Sequence, residues 1–128
     1  MTLNVVDSSA WLEYFADGPN AQHFAPVIEN TANVLVPTVT LLERFKRISQ
    51  QRDDSVALQY MAVMQQSTLV DLDAAIAIRA AVLGRRHKLP LADSIIYATA
   101  QSLGADVWTQ DADFEGLAGV RFWAKQAE

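Results

Sequence analysis

The chain has 128 residues, 51% of them apolar and 20% charged, with a formal net charge of −5. That is the size and makeup of a single globular domain, expected to span residues 1–128. The acidity excludes a nucleic-acid coat protein with a broad basic face, and the absence of cysteine excludes disulfides and thiolate metal sites.

Leu3 to Val6 is a short apolar run ending at Asp7, as buried parallel strands are. A helix is predicted from Ser8 to about Ala16, with Ser8 or Ser9 able to cap it. Asp17-Gly18-Pro19 breaks it, and Asn20 to Asn30 reads as a second short helix. Val34 to Val36 is a second strand stopped by Pro37. The next helix, capped by Thr38 or Thr40, carries Leu41, Leu42, Phe45 and Ile48. Gln50 to Asp54 is a polar connection. A fourth helix places Val56, Tyr60, Val63 and Met64 on one stripe. Thr68 to Val70 is a third strand leading into Asp71, and Ala74 to Leu83 an alanine-rich helix. Gly84 to Lys88 reads as a basic connection. Pro90 opens a helix over Leu91 to Leu103 that Gly104 stops. Asp106 to Thr109 is a fourth strand, Gln110 to Gly119 a turn region, and Val120 to Trp123 a short fifth strand. Strands alternating with helices predict an α/β domain with a mainly parallel sheet of four to five strands.

Four acids from distant segments fall at one edge of that sheet. Asp7 ends the first strand and Asp111 follows the fourth. Glu43 sits early in the helix that leaves the second strand. Asp93 sits in the first turn of the helix that feeds the fourth, whose N-terminus returns to the same edge. Clustered carboxylates repel unless a cation or proton sits among them. Oxygen-only ligands favour Mg²⁺ or Mn²⁺, an ion suited to phosphodiester hydrolysis by activated water. Each acid also has a local reading. Asp7 can cap a helix, Asp93 can complement a helix dipole, Glu43 can pair with Arg47, and Asp111 and Asp113 can form turns.

The motifs around these acids are familiar. Val5-Val6-Asp7-Ser8-Ser9 resembles the first motif of PIN-domain ribonucleases, and Pro37-Thr38-Val39-Thr40-Leu41-Leu42-Glu43 their second. Leu89 to Ala100, containing Asp93, is similar to their third, and Thr109-Gln110-Asp111-Ala112-Asp113-Phe114 to their fourth. In size and third motif the chain looks most like VapC toxins of toxin–antitoxin pairs. The resemblance implies an α/β/α sandwich, Mg²⁺ or Mn²⁺, and endonucleolytic cleavage of structured RNA, commonly tRNA or rRNA. It also implies a homodimer and a cognate antitoxin whose C-terminal segment covers the active site. Carried over, Asp7, Glu43, Asp93 and Asp111 are metal-site acids, with Asp113, Ser8 and Thr109 as auxiliaries.

Arg44 and Arg47, with Lys46, flank Glu43; Arg85 and Arg86, with Lys88, precede Asp93. These are the candidates for RNA-phosphate contacts. His23 and His87 belong to no motif and are too far apart for a zinc HExxH pair. Trp11, Tyr14, Phe15, Trp108 and Trp123 read as core. No signal peptide is evident from Met1 to Val6 and no apolar run would span a membrane, so a cytoplasmic location is expected. Two other readings share these features: a PIN-domain RNA-processing nuclease without an antitoxin, and a non-enzymatic phosphoacceptor receiver domain using Asp71.

Overall fold

The computed structural model describes residues 2–127. Met1, where the segment read for a signal peptide starts, and Glu128, the last residue of the expected domain, lie outside the described residues. The elements run β1 (Leu3–Val6), α1 (Ser8–Ala16), α2 (Ala21–Ile28), β2 (Val34–Pro37), α3 (Thr38–Gln51) and α4 (Asp54–Met64). They continue with β3 (Thr68–Val70), α5 (Ala74–His87), α6 (Leu91–Ser102), β4 (Ala105–Thr109) and β5 (Val120–Phe122). Short 3-10 turns occupy Thr31–Asn33 and Ala112–Phe114.

The strands form one five-stranded sheet in the order β3-β2-β1-β4-β5, and each adjacent pair is parallel. The apolar strand runs require cover on both faces, and both are covered. Val5 faces a cluster with Ile76, Leu83, Ile96, Tyr97 and Val107, beneath α5 and α6. Val6, the next residue, faces the opposite way into Trp11, Phe24, Ile48, Met61 and Met64, beneath α1 to α4. The result is the expected three-layer α/β/α sandwich.

Strand order positions the site. The order in which strands are added reverses about β1, with β2 and β3 on one side and β4 and β5 on the other. Val6 pairs with Trp108, so Asp7 emerges beside the end of β4. The crevice at such a switch point, beyond the carboxyl ends of the strands, is where open α/β sheets take ligands.

One boundary and one burial expectation differ from those predicted. The basic segment Gly84 to His87 is not a connection but the last turn of α5, whose C-cap Lys88 takes a left-handed φ of 56°. Three basic side chains at a helix C-terminus complement its dipole, so the charge run extends the helix. Within that helix Gly84 lets α6 pack close: a Cβ there would meet the Ser94 side chain at 3.0 Å. Trp108 and Trp123 are only partly buried. They stack on each other at 5.3 Å, with His23 stacked on Trp123 and Arg121 over Trp108. Trp11 is a true core residue, and Phe15 bridges it to Tyr60.

Ile96 is fully buried in the layer that carries α6 across the sheet. Ile96→Ala is expected to lower stability by about 2–5 kcal/mol in urea unfolding, the usual range for a buried aliphatic truncation. A loss below about 1 kcal/mol would show that α6 is not pinned as described.

Candidate active site

Asp7 is 1% exposed and caps α1: its Oδ1 accepts from the Ala10 amide at 3.1 Å and from the Ser9 hydroxyl at 2.8 Å. Burial pushes its carboxyl up to about 6, against the opposing pull of the Ser9, Ala10 and Thr109 hydrogen bonds; the charge of Asp111 adds to the rise. Asp93 lies in the first turn of α6, and Asp111 caps the 3-10 turn after β4 by accepting from the Asp113 amide at 2.9 Å. Carboxylate oxygens of Asp93, Asp111 and Asp113 all lie within 4.8 Å of one another. Burial is the first cause that pushes Asp93 up to about 8. The charge of Asp111, a hydrogen bond with it, and the charges of Asp7 and Glu43 raise it further.

Glu43 faces the same edge. It does not pair with Arg47; among the described residues the one ion pair joins Arg121 to Asp106. Its partner is the Ser8 hydroxyl, which donates to Oε1 at 2.5 Å. The structure thus brings all four acids to one edge, with two differences of detail. Asp113, expected as an auxiliary, belongs to the tightest trio. Asp7 and Glu43 adjoin that trio, and their charges act on Asp93.

The hydroxyls divide the work of support. Ser8 holds Glu43, Ser9 holds Asp7, and Thr109 Oγ1 accepts from the Asp111 amide at 2.8 Å. Ser9 also accepts from the Gln110 amide at 3.3 Å, tying α1 to the turn that carries Asp111. The Gln110 side chain accepts from Asn20 at 2.9 Å, and fully buried Asn20 also reaches the Ala124 carbonyl and Gln126. Ser9 as the holder of Asp7, Gln110 and Asn20 were not singled out in the sequence. The doubled serine after Asp7 was the only signal for the first, and nothing local marked the other two.

Of the basic candidates, Arg47, Arg85 and Arg86 are exposed. Arg86 lies along α5 with Ile78, Arg79 and Val82, lining a shallow hollow there. Arg44 is half-buried, and its Nε and Nη1 are buried without a hydrogen-bond partner among the described residues.

The residues present fit a divalent cation. Every donor is a carboxylate oxygen, the choice of hard ions such as Mg²⁺ and Mn²⁺. After burial, the neighbouring charges of Asp111, Asp7 and Glu43 each raise Asp93 further, the direction a nearby cation would oppose.

A family model described as PIN domain matches residues 5–120. Among solved structures, a toxin–antitoxin complex from Klebsiella pneumoniae superposes with a TM-score of 0.76 at 23% identity, covering 92% of this chain and 95% of that one. The DNA-bound VapBC of Salmonella typhimurium gives 0.73 at 20% identity over 97% and 98%. VapC20 of Mycobacterium tuberculosis, described as a sarcin-ricin loop cleaving toxin, gives 0.74 at 17% identity over 91% and 96%. No curated protein sequence matches the chain.

The raised acids have a consequence for stability. An acid that holds its proton to a higher pH when folded than when unfolded stabilises the fold at low pH. That contribution is lost as pH rises through the folded value. For Asp7 the window runs from 3.8 to about 6, and for Asp93 from 3.8 to about 8. In EDTA, the Tm of the wild type is therefore expected to fall between pH 5 and about 8.5 more steeply than that of Asp93→Asn. Adding Mn²⁺ should raise the wild-type Tm more at the alkaline end than at the acid end. Parallel pH profiles for the two proteins in EDTA would contradict the crowding described.

Proposed function

The chain belongs to the PIN domain family, and from that premise and the acidic edge we propose that it is a divalent-metal-dependent endoribonuclease, the toxin of a type II toxin–antitoxin pair. The observation that carries the reading is the convergence of Asp93, Asp111 and Asp113 within 4.8 Å, with Asp7 and Glu43 beside them.

In this reading Asp93, Asp111 and Asp113 would hold the ion together with Asp7 and Glu43, whose charges also act on Asp93. A bound Mg²⁺ or Mn²⁺ supplies positive charge to a phosphate and activates water for hydrolysis. Ser8, Ser9 and Thr109 keep Glu43, Asp7 and the Asp111 turn fixed, so no reorganisation is needed when charge develops. Arg47, Arg85 and Arg86 are exposed donors for flanking phosphates of structured RNA such as tRNA or rRNA.

The toxin reading, over a processing nuclease that works alone, draws support from the surface beside Glu43. Leu41, Leu42, Phe45, Leu58 and Met61 line an open apolar groove of about 490 Å³ between α3 and α4. Leu42 is 64% exposed and Leu58 61%. Leu42 and Lys46 also line the neighbouring cavity that reaches Glu43, so the groove leads to the acids. A cognate antitoxin segment lying there would cover the site and bury the leucines. A homodimer and a cytoplasmic location follow from the same reading. Among the described residues no helix is long and apolar enough to cross a membrane. The phosphoacceptor alternative gains nothing: Asp71 is exposed, follows the edge strand β3 and lies outside the cluster.

Mapping RNA 5′ ends after brief induction in cells is expected to show a small set of cuts in a structured RNA, absent for Asp7→Asn. With purified protein and Mn²⁺, Asp7→Asn should lose at least about 100-fold in rate, the scale of removing a preorganised charge from such a site. Equal cleavage by the two preparations would assign the activity to a contaminant and remove the reading.

A further inference from the structure

α3 buries one stripe of side chains. Thr40 is fully buried and Ile48 5% exposed, and Arg44 stands midway between them at helical spacing. An amphipathic helix ordinarily fills such a position with an aliphatic residue. Here the side chain is a guanidinium whose Nε and Nη1 are buried and unpartnered among the described residues. Its neighbour Glu43 is taken by Ser8. Buried donors left unpaired are costly, and a cation turned inward without a partner points to an anion that arrives from outside.

The surroundings narrow what that anion is. Arg44 lines a cavity of about 510 Å³ with Glu43, Lys46, Arg47 and Ala92, the residue before Asp93. The carboxylates of Glu43 and Asp7 both lie close enough to act on its charge. It therefore sits where the cavity meets the acids, while Lys46 and Arg47 stay exposed on the outer wall. A guanidinium fork matches phosphate oxygens in a way that an ammonium does not.

We propose that Arg44 is a catalytic residue: it binds the non-bridging oxygens of the phosphodiester being cut, rather than adding to general RNA affinity. The proposal rests on the nuclease reading above. In the hydrolysis, water oxygen bonds to phosphorus and the bond to the leaving ester oxygen breaks. Water gives up one proton and the leaving oxygen gains one. Arg44 keeps its own proton throughout and offsets the charge that builds on the phosphate oxygens.

The test compares wild type, Arg44→Gln and Arg44→Lys on a labelled RNA hairpin built from the mapped cut, under single turnover with Mg²⁺. Arg44→Gln is expected to lower the maximal rate by about 10²–10³-fold with a much smaller change in the half-saturating concentration. Arg44→Lys should recover only part of the rate, since it restores charge without the fork. In a second measurement, millimolar inorganic phosphate with Mg²⁺ should raise the Tm of the wild type but not of Arg44→Gln. A maximal rate for Arg44→Gln within about threefold of wild type, after correction for folded fraction by circular dichroism, would overturn the proposal. So would equal stabilisation of both proteins by phosphate. If Arg44→Gln does not fold, Arg44→Lys carries the test, and a wild-type maximal rate for it overturns the role. If the wild type cuts no RNA, the nuclease reading falls on its own, and the phosphate measurement still decides whether Arg44 receives phosphate.

Discussion

Repulsion between carboxylates at one edge of the sheet is the constraint on which the rest of the structure turns. Asp93, Asp111 and Asp113 hold oxygens within 4.8 Å of one another, and Asp7 is buried to 1% exposure beside them. Such a cluster would spread apart unless its backbone were held from behind. The two apolar layers do the holding. Val5 and Val6 send side chains into opposite cores, so β1 cannot shift to relieve Asp7 without disturbing both. α6 is anchored by Ile96 and Tyr97, and the Tyr97 hydroxyl donates to the Ala118 carbonyl at 2.7 Å, so Asp93 is equally fixed.

Polar supports finish what the cores begin. Each of Ser8, Ser9 and Thr109 serves a different acid or its turn, and Ser9 links two of them. Behind the Asp111 turn, Asn20 joins Gln110 to Ala124 and Gln126, a buried junction with its amide oxygen and nitrogen both used. A site whose acids come from four chain segments is thereby held in place before any ion or substrate arrives, the condition under which fixed charges act most strongly. Arg44 is the one inward charge that these supports leave without a partner among the described residues.

Much of this was legible in the chain. Strand–helix alternation and short apolar strands foretold the parallel sandwich, because a strand buried on both faces has few other compositions. The four acids were legible because each stands at or within about two turns of an element end on the same sheet edge, where topology brings them together. That Asp113 as well as Asp111 comes within 4.8 Å of Asp93 was not legible, since a turn with two aspartates does not say how close each carboxylate approaches a third. The division between Ser8 and Ser9 was not legible, because adjacent helix residues point 100° apart and the partners come from α3 and β4. Arg44 was grouped with Arg47, Arg85 and Arg86 as a candidate for RNA-phosphate contact, although its spacing from Thr40 and Ile48 already set it apart on the inward stripe of α3. The continuation of α5 through Arg85 to His87 was missed because a basic run reads as a loop until its place at a helix C-terminus is known.

Five of the fifteen acidic residues, Asp7, Glu43, Asp93, Asp111 and Asp113, stand at this one edge, where a cation would offset them. The most direct test is therefore the ion itself. Calorimetric titration of the metal-free protein with Mn²⁺ at pH 7, repeated in buffers of different ionisation enthalpy, counts the protons released on binding. The expected result is saturable binding with net proton release, driven by the raised Asp93, and loss of that release in Asp93→Asn. No binding at millimolar Mn²⁺ would contradict the central claim that the carboxylate edge is a divalent-metal site.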